Sequence, residues 1–450
     1  MRVNLLNDAV TLTSAVAKKN DKSHQLNNQH MNKPDSKFTG CYNTGSYNTD
    51  FNNTSAYNTG SNITSCRIPS SQSKNFPITN VKISGSKVAS IFVAMFAVFL
   101  FAMPARAQLG DLGEVIRTGT ADANMLLEQY IRPYSNGLGA NFNTGWSNTG
   151  GPRRVLGVDV RVSAAVALVP SADETFDLSE LMFSNPDLQI MPGSPSITPT
   201  AAGPDDLLTR AVIGQTFTNP ATGLEETLYE FQMPNGTGFP YVPSPMVQVN
   251  LGLPMDFEIA ARVLPAVSLP DDGELQLFGA GIKHGINSYI PGGFLLPVDL
   301  AVQVGYTSLT LNVPLDVQPQ GGIYSEYEAS QWENQNVELN ATALSANFLV
   351  GRNLPFLSVF AGAGYQVSNN AIKATGSYPV TVANVNYNPV TSPFPRVVQA
   401  IDDPVDLDMD GENDIHFFGG FRFKLGFLAL NATYTHAKYP VANVGIGLSI

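Results

Sequence analysis

The sequence has few charged residues, and beyond its first quarter it has neither a cysteine nor a long apolar run. Only 14% of its 450 residues are charged. The two cysteines, Cys41 and Cys66, both precede residue 107, so the rest of the chain excludes disulfides, iron–sulfur clusters and cysteine-ligated zinc. The longest apolar run, 88–103, has 16 residues, which is short for a membrane-spanning helix. We therefore expect no membrane helix downstream of it.

Basic residues are especially scarce in the second part of the chain. Residues 1–107 hold 11 Lys and Arg and 4 Asp and Glu, which leaves 14 basic and 33 acidic residues after them, a net charge of −19. A surface this acidic repels phosphate groups. Nucleic acid and anionic lipid headgroups are therefore excluded as expected partners.

The apolar run at 88–103 has the surroundings of a secretory signal. Lys82 and Lys87 precede it, and an Ala-Arg-Ala sequence ending at Ala107 follows it. We predict a signal peptide at 81–107, cleaved after Ala107. Residues 1–80 include an Asn/Thr-rich pentamer repeat at 41–65, and we interpret them as a disordered leader or as the product of a start codon assigned too far upstream.

From residue 155 onward, apolar and polar residues alternate in ten segments. In the last segment, Val444, Ile446 and Leu448 alternate with small or polar residues. Successive strand residues point to opposite faces, so each segment has one apolar and one polar face. The predicted strands are 155–169, 246–253, 255–264, 274–282, 297–308, 337–350, 356–367, 414–425, 427–436 and 441–450.

The connections after the second, sixth and eighth strands are short, and those after the first, fifth and seventh are long, whereas the connection 283–296 is longer than a tight turn and departs from this pattern. Long external loops are expected at 170–245, 309–336 and 368–413. This asymmetry is typical of membrane barrels, whereas a soluble β-sandwich shares only the alternation. We predict an all-β fold, a transmembrane antiparallel up-and-down β-barrel of about 10–14 strands. Its expected location is the bacterial outer membrane, with the membrane lipid and the barrel-assembly machinery as partners.

The segment 108–154 precedes the first strand. Its apolar residues predict a short helix from Ala121 to Ile131, which Pro133 would end. A Gly/Asn-rich piece that contains Trp146 follows. The segment is interpreted either as a periplasmic, turn-rich piece or as a plug inside the barrel.

Three stretches are similar to a known family. They are ADANMLLEQYIRPYSNGLGANFNTGWSNTGGPRRVLGVDVRVSAAVALVP, GIKHGINSYIPGGFLLPVDLAVQVGYT and the closing hairpins. They resemble a Bacteroidota outer-membrane family of unknown function (domain of unknown function 6588) over most of 109–450. That resemblance implies a more distant likeness to the long-chain fatty-acid outer-membrane transporters, which have fourteen strands and an N-terminal plug. It implies no catalytic residues.

The polar faces of the strands define a predicted lumen. Unpaired charges inside a narrow barrel are costly, so charges there are expected to pair and close it. Alternatively, they form a constriction that selects solutes. The charged residues expected to point inward are Asp159, Arg161, Glu258, Arg262, Asp299, Glu338, Arg422 and Lys424.

The stretch 406–414 (DLDMDGEND) resembles the first half of a calcium-binding loop. Acidic residues at alternate positions followed by glycine supply oxygen ligands before a sharp turn, although Phe417 occupies the position of the usual bidentate Glu. Calcium is therefore the one possible cofactor predicted from the sequence. The alternative is that the stretch is an acidic loop exposed to solvent. The expected ligands are Asp406, Asp408, Asp410 and Asp414.

Two functions remain open at this point. The first is the passage or binding of a small hydrophobic solute in the lumen. The second is a non-transporting barrel whose acidic external loops bind a protein or a glycan. Catalysis is not expected, because the sequence contains neither a G-x-S-x-G nor an H-E-x-x-H motif.

Overall fold

The computed structural model describes Val115, Thr118 and most of the chain that follows. The chain divides into two units, Met1–Pro77 and Ile78–Ile450, and all described residues belong to the second. The leader, the signal peptide with its cleavage site, and both cysteines lie outside the described residues. The described ranges are 120–205, 210–218, 225–268, 273–319, 321–384, 386–388, 390–394, 396–412 and 414–450.

The described part is built from one long helix, α1 (Thr120–Asn143), and eighteen strands. In chain order the strands are β1 (Val158–Leu168), β2 (Thr175–Asp177), β3 (Leu188–Ile190), β4 (Ile197–Pro199), β5 (Val212–Thr218), β6 (Glu225–Gln232), β7 (Tyr241–Leu253), β8 (Phe257–Ser268), β9 (Glu274–Gly285), β10 (Asp299–Leu315), β11 (Gln335–Asn353), β12 (Leu357–Thr375), β13 (Ser377–Ala383), β14 (Arg396–Asp402), β15 (Val405–Asp410), β16 (Asp414–Leu425), β17 (Leu428–His436) and β18 (Val441–Ser449). Short 3-10 turns lie at Ser171–Asp173, Leu178–Glu180, Asn287–Tyr289, Gly293–Leu295 and Ala329–Trp332.

Ten of these strands close into an antiparallel barrel. Around the barrel the order is β1, β7, β8, β9, β10, β11, β12, β16, β17 and β18, and β18 pairs with β1. β15 lies outside this ring and pairs only with Asn369–Ala374 of β12. The ten barrel strands are those that the alternation predicts, so the predicted fold class is confirmed.

The barrel has two different ends. At the turn end, residues 254–256, 354–356 and 426–427 connect neighbouring strands, and β1 begins beside the last residue of β18. At the loop end, the connections 169–240, 316–334 and 376–413 are long. These connections show the predicted asymmetry, whereas 286–298 at the turn end has 13 residues and 437–440 at the loop end has four.

The outer face of the barrel is an apolar band. Burial alternates between inward and outward residues along β1, β7, β9, β17 and β18, and along parts of β10, β11, β12 and β16. A closed barrel can leave such a face uncovered only where lipid surrounds it. Exposed apolar side chains include Val160, Val249, Ile259, Phe278, Val304, Tyr306, Leu344, Phe348, Val359, Phe421, Leu430, Tyr434 and Ile446. Among the described helices, none is both long and apolar enough to cross a membrane.

Small sheets cover the loop end. β2 pairs with β4, β3 with β5 and β6, and β13 with β14. Within the first long connection, β5 and β6 pair as a hairpin of their own. Their buried apolar residues, among them Leu178, Ile213 and Met233, form one cluster with Leu126 and Leu127 of α1. The first half of the helix is thus fixed among the loops.

The helix α1 is longer than its sequence predicts. It passes through Pro133 and ends at Asn143, so the predicted end at Pro133 is wrong. Proline inside a helix removes one hydrogen bond and costs about 3 kcal/mol. Tertiary contacts offset this cost, because the second half of α1 is held by the barrel wall on which it packs.

Candidate functional site

The second half of α1 lies inside the barrel. A Cβ added to Gly137 would lie 2.5 Å from Val242, which shows how closely helix and wall approach. Asn141 Nδ2 donates to the Val242 carbonyl and to Ser244 Oγ, the latter at 3.0 Å. Asn143 Nδ2 donates to the Val367 carbonyl at 3.0 Å. These polar residues are poor helix formers in isolation, but here they bond the wall.

At the loop end, a buried tyrosine fastens α1 to the connection between β17 and β18. Tyr439 donates its hydroxyl to Asp173 Oδ2 at 2.5 Å and accepts from Asn136 Nδ2 of the helix at 3.3 Å. Burial, with the hydrogen bond to Asp173, raises the pKa of Tyr439 above its ordinary value. The raised pKa favours the protonated hydroxyl, which the hydrogen bond to Asp173 requires.

Trp146 fills the middle of the lumen below the helix. It is 2% exposed, and its ring lies flat against a wall of glycines on β9 and β10, Gly279, Gly281 and Gly305. A Cβ added at Gly281 would lie 2.9 Å from the ring, and one added at Gly305 would be closer still. Only glycine leaves room for the indole at these positions.

Two buried arginines of the wall hold the chain on either side of Trp146. Arg262 donates to the carbonyls of Phe142, at 2.6 Å, and Thr144, and its guanidinium carbon lies 3.7 Å from the centre of the Trp146 ring. Arg161 donates to the carbonyls of Gly145 and Trp146, the latter at 3.1 Å. The segment after α1 is thereby bonded across the lumen.

A network of buried charges closes the turn end of the lumen. Asp159 pairs with Arg153 at 3.0 Å and with Arg422 at 3.1 Å. Glu258 pairs with Lys283 at 3.3 Å, and its second oxygen lies 3.9 Å from Arg153. All five side chains are at least nine-tenths buried. Breaking one such pair would leave an uncompensated buried charge, which costs about 3–5 kcal/mol.

The structure brings five of the eight predicted lumen charges together in the lumen. Asp159, Arg161, Glu258, Arg262 and Arg422 are all buried there.

The other three predicted charges lie outside this group. Asp299 accepts from Asn353 at the rim of the turn end, and Glu338 lies half-buried near the loop end. Lys424 lies half-buried beside the turn at 426–427. The predicted selective constriction remains a proposal.

Sequence reasoning missed two members of the network. Lys283 continues the inward positions of β9, because Leu275, Leu277 and Gly281 precede it at even spacing. The predicted strand ends at residue 282, three residues before the observed end at Gly285, and so leaves Lys283 out. Arg153 precedes the first strand and follows no periodic pattern. No signal in the sequence identifies it.

The stretch predicted to bind calcium is mostly extended. Asp406, Asp408 and Asp410 lie in β15, on its exposed face, instead of in a turn. Asp406 pairs with Lys373 at 3.0 Å, and Asp408 accepts from Asn369 at 2.8 Å. Within the described ranges, no group of three or more acidic, His or Cys side chains could hold a metal ion. Calcium binding there, with Asp414, remains a prediction.

Above Trp146, an apolar cavity of about 240 Å³ lies between α1 and the barrel wall. No charged residue lines it. Its floor is formed by Phe142, so the charge network lies below it. The apolar residues that surround it include Ile131, Leu138, Leu264, Leu275, Leu277, Leu309, Leu311, Leu339 and Ile372.

The few polar groups of the cavity wall are mostly bonded to the protein. Tyr134 donates to the Phe239 carbonyl at 2.8 Å and contacts Thr237 Oγ1. Asn370 Nδ2 donates to Ser135 Oγ at 2.7 Å and to the Ser135 carbonyl at 3.0 Å. Asn370 Oδ1, in contrast, is buried and has no hydrogen-bond partner among the residues that the structure describes.

A pattern in the sequence of β9 and β10 indicates this cavity, although it was not among the predictions above. In β10 the apolar residues up to Tyr306 occupy outward positions, whereas Leu309 and Leu311 occupy inward ones. The apolar face thus switches sides between Tyr306 and Leu309. In β9, Leu275 and Leu277 likewise occupy inward positions at the loop end. An apolar inner face at the loop end follows from this switch.

Beside the cavity, the ladder between β7 and β8 is incomplete. It runs from Leu253 paired with Phe257 to Gln248 paired with Arg262, and stops there. Towards the loop end, β7 still pairs with β1, and β8 still pairs with β9 with a register shift between Leu264 and Val267. We call the unpaired part, 241–247 against 263–268, the seam.

Two prolines of β7 contribute to the missing pairing at the seam, where the facing strand β8 also contains Pro265 and a register shift. The carbonyl of Pro240 accepts a hydrogen bond from the N–H of Val169. The even-numbered residues of β7 therefore make their backbone hydrogen bonds with β1. In an antiparallel strand the alternate residues bond the other neighbour, here β8. Pro243 and Pro245 occupy such positions and have no N–H to donate. Both line the cavity.

Fold and site together define a plugged transmembrane β-barrel with an apolar cavity in its lumen. The model of a family of unknown function (DUF6588) matches residues 86–450. The chain belongs to this family. No curated protein matches it.

Several solved membrane barrels are similar in part. The translocator domain of autotransporter NalP from Neisseria meningitidis is 10% identical, covers 66% of this chain and 88% of its own, and has a TM-score of 0.26. The Ralstonia pickettii toluene transporter TbuX is 8% identical, with coverages of 72% and 92% and a TM-score of 0.16. A Pseudomonas aeruginosa FadL homologue is 10% identical, with coverages of 65% and 88% and the same score. Scores this low support no conclusion about what this chain binds.

Proposed function

We propose that this protein is an outer-membrane barrel that binds a small hydrophobic solute in its lumen and exchanges it with the membrane. The cavity between α1 and the wall carries the proposal. Dry apolar cavities bind apolar molecules, because the ligand leaves water without displacing any polar contact. The acidic chain and the apolar outer band favour a location in the outer membrane.

The seam supplies the route of exchange. Below the cavity, Trp146 and the charge network fill the lumen, so a direct path to the turn end is blocked. At the seam, no ladder hydrogen bond has to break for the two strands to separate. An apolar solute can therefore pass between β7 and β8 without crossing the charged region.

Uptake by intact cells tests this function. Leu277 projects into the cavity, and Leu277→Trp would fill it. We expect this variant to lower the accumulation of a radiolabelled polycyclic hydrocarbon by at least about tenfold relative to wild type, as a loss of about 1.4 kcal/mol in binding would. The assay uses a Gram-negative host that makes the full chain in its outer membrane.

The matched control is Leu430→Trp, since Leu430 lies on the outward face of β17. It should leave accumulation unchanged. Equal accumulation by Leu277→Trp and wild type would contradict the proposal. It would favour the alternative of a barrel whose loops at the loop end bind a protein or a glycan.

A further inference from the structure

We infer that the connection between β9 and β10, residues 286–298, contacts the lipid of the membrane leaflet at the turn end of the barrel. We call these residues the β9–β10 connection. The inference goes beyond the proposed function and does not depend on the cavity. Two features carry it: the connection exposes large apolar side chains on a fixed backbone, and it is bonded to the outward side of the barrel.

The length and composition of the β9–β10 connection set it apart from the other turns at this end. Its 13 residues, INSYIPGGFLLPV, contain no charged side chain. The turns 254–256, 354–356 and 426–427 join neighbouring strands with two or three residues. An antiparallel pair of strands needs no more than this. The additional apolar residues are therefore not required to close the sheet.

Hydrogen bonds fix the backbone of the connection. Asn287 Nδ2 donates to the Val298 carbonyl at 2.9 Å, and Asn287 Oδ1 accepts from the Leu300 N–H at 2.7 Å. A Cβ added to Gly293 would lie 2.0 Å from the Asn287 carbonyl oxygen, so the chain also folds closely on itself. The backbone cannot rearrange to bury its apolar side chains without losing these bonds.

The side chains that this backbone presents are large and apolar. Tyr289 is 71% exposed and Leu295 is 75% exposed, and Ile290 and Leu296 are exposed as well. Contact of such side chains with water is unfavourable, and a group of them marks a surface that another molecule covers. The membrane interface suits this set, since leucine enters the acyl region and tyrosine keeps its hydroxyl among the headgroups.

The connection lies against the outward side of the barrel. His284 faces outward, because its neighbour Lys283 is buried in the lumen. The His284 ring stacks on Phe257, with 4.0 Å between the ring centres, and Phe257 is adjacent to the inward Glu258. His284 Nε2 lies 3.1 Å from the hydroxyl of Tyr289. The connection is thereby joined to the face that carries the apolar band.

Lipid is the occupant that this position favours. The apolar band borders the connection at Ile259 and Ile282, which are exposed outward residues of β8 and β9 and are paired with each other. Lipid that covers the band therefore reaches the connection as well. A second copy of the chain or a protein partner would first have to displace that lipid.

Tryptophan fluorescence in vesicles tests the inference. The full chain with Leu295→Trp is reconstituted into vesicles of phosphatidylcholine with brominated acyl chains, which quench tryptophans in contact with lipid. Trp146 and Trp332 are each 2% exposed, and their emission is removed by subtracting the wild-type signal. We expect most of the added emission to be lost in the brominated vesicles and little of it to be lost to acrylamide in the water.

Two variants calibrate the measurement. Leu430→Trp lies on the outward face of β17 and should be quenched by the brominated lipid. Gly321→Trp lies in the connection between β10 and β11 at the loop end, where nothing is within 4 Å of an added Cβ, and should be quenched by acrylamide alone. Quenching of Leu295→Trp that follows the pattern of Leu430→Trp supports the inference.

Two results would overturn it. Quenching of Leu295→Trp by acrylamide and not by brominated lipid would place the connection in water. Quenching by neither would place it against another protein molecule, such as a second copy of the chain. Tyr289→Trp, measured in the same way, provides a second position if Leu295→Trp does not fold. The proposed function concerns the cavity alone and stands in either case.

Discussion

Trp146 closes the lumen because three wall residues have no side chain. Its indole occupies the space that side chains at Gly279, Gly281 and Gly305 would fill. Arg262 lies over the ring and bonds the chain on both sides of it. The floor of the cavity thus depends on an aromatic side chain, a guanidinium and a glycine wall that fit together.

A methyl group on this wall should weaken the plug. Gly305→Ala would place a carbon within the indole, so Trp146 must shift, and overpacking of this kind costs about 1–3 kcal/mol. We expect a lower midpoint of thermal unfolding in detergent. Gly321→Ala is the control, because nothing lies within 4 Å of a Cβ added there. Equal midpoints for both variants would show that the indole does not depend on this contact.

The inward-facing residues of the barrel strands are easier to predict from the sequence than the residues of the segment that fills the lumen. Asp159, Glu258 and Arg422 follow the strand period, so their inward direction is predictable. Arg153 is not predictable, since its position depends on how the chain before β1 folds into the lumen. The same holds for Trp146, whose burial results from glycines more than 130 residues further along the chain.

The strands could be predicted more completely than the helix. Strand alternation reports directly on the boundary between lumen and lipid, and all ten barrel strands carry it. α1 instead contains Pro133 and, in its second half, glycine and asparagine, which local propensity assigns to a loop. Its length is decided by the wall, through bonds such as those of Asn141 and Asn143.

The sequence of the seam leads directly to a prediction about the rate of solute uptake. The variant Pro243→Val/Pro245→Val restores two N–H donors on the side of β7 that faces β8, and valine favours strands. We expect the ladder to extend and the uptake of the hydrocarbon to slow. The measurement is the initial rate of uptake by intact cells.

Pro379→Val is the matched control, because Pro379 lies in β13, outside the barrel. It should leave the rate unchanged. Unchanged uptake in the double variant, with amide exchange showing that the new N–H groups are protected, would mean that the solute takes another route.

For the whole molecule, the asymmetry of the two ends predicts an orientation. Long loops of membrane barrels lie outside the cell and short turns lie in the periplasm. An epitope inserted after Gly321, in the connection between β10 and β11, should be labelled by antibody on intact cells. One inserted after Gly426 should be labelled only after the outer membrane is permeabilised. Both positions leave free space around an added Cβ. The reverse pattern would invert the orientation and move the cavity to the inner side.

This predicted orientation would place the cavity, the seam and the covering loops in the outer half of the barrel. The charge network and Trp146 then face the periplasm. Hydrophobic solute would be received near the cell surface and kept apart from the charged region by Phe142. The loops hold α1 in place through the apolar cluster around Leu126 and through Tyr439.

A crystal structure of the protein with 2-bromonaphthalene would test the central claim most directly. The bromine scatters anomalously, so its position can be found without interpreting weak ligand density. We expect one bromine in the lumen, between α1 and the inward leucines of β9 and β10, such as Leu277 and Leu309. Bromine found only on the lipid-facing surface, with the cavity empty at saturating probe, would contradict it.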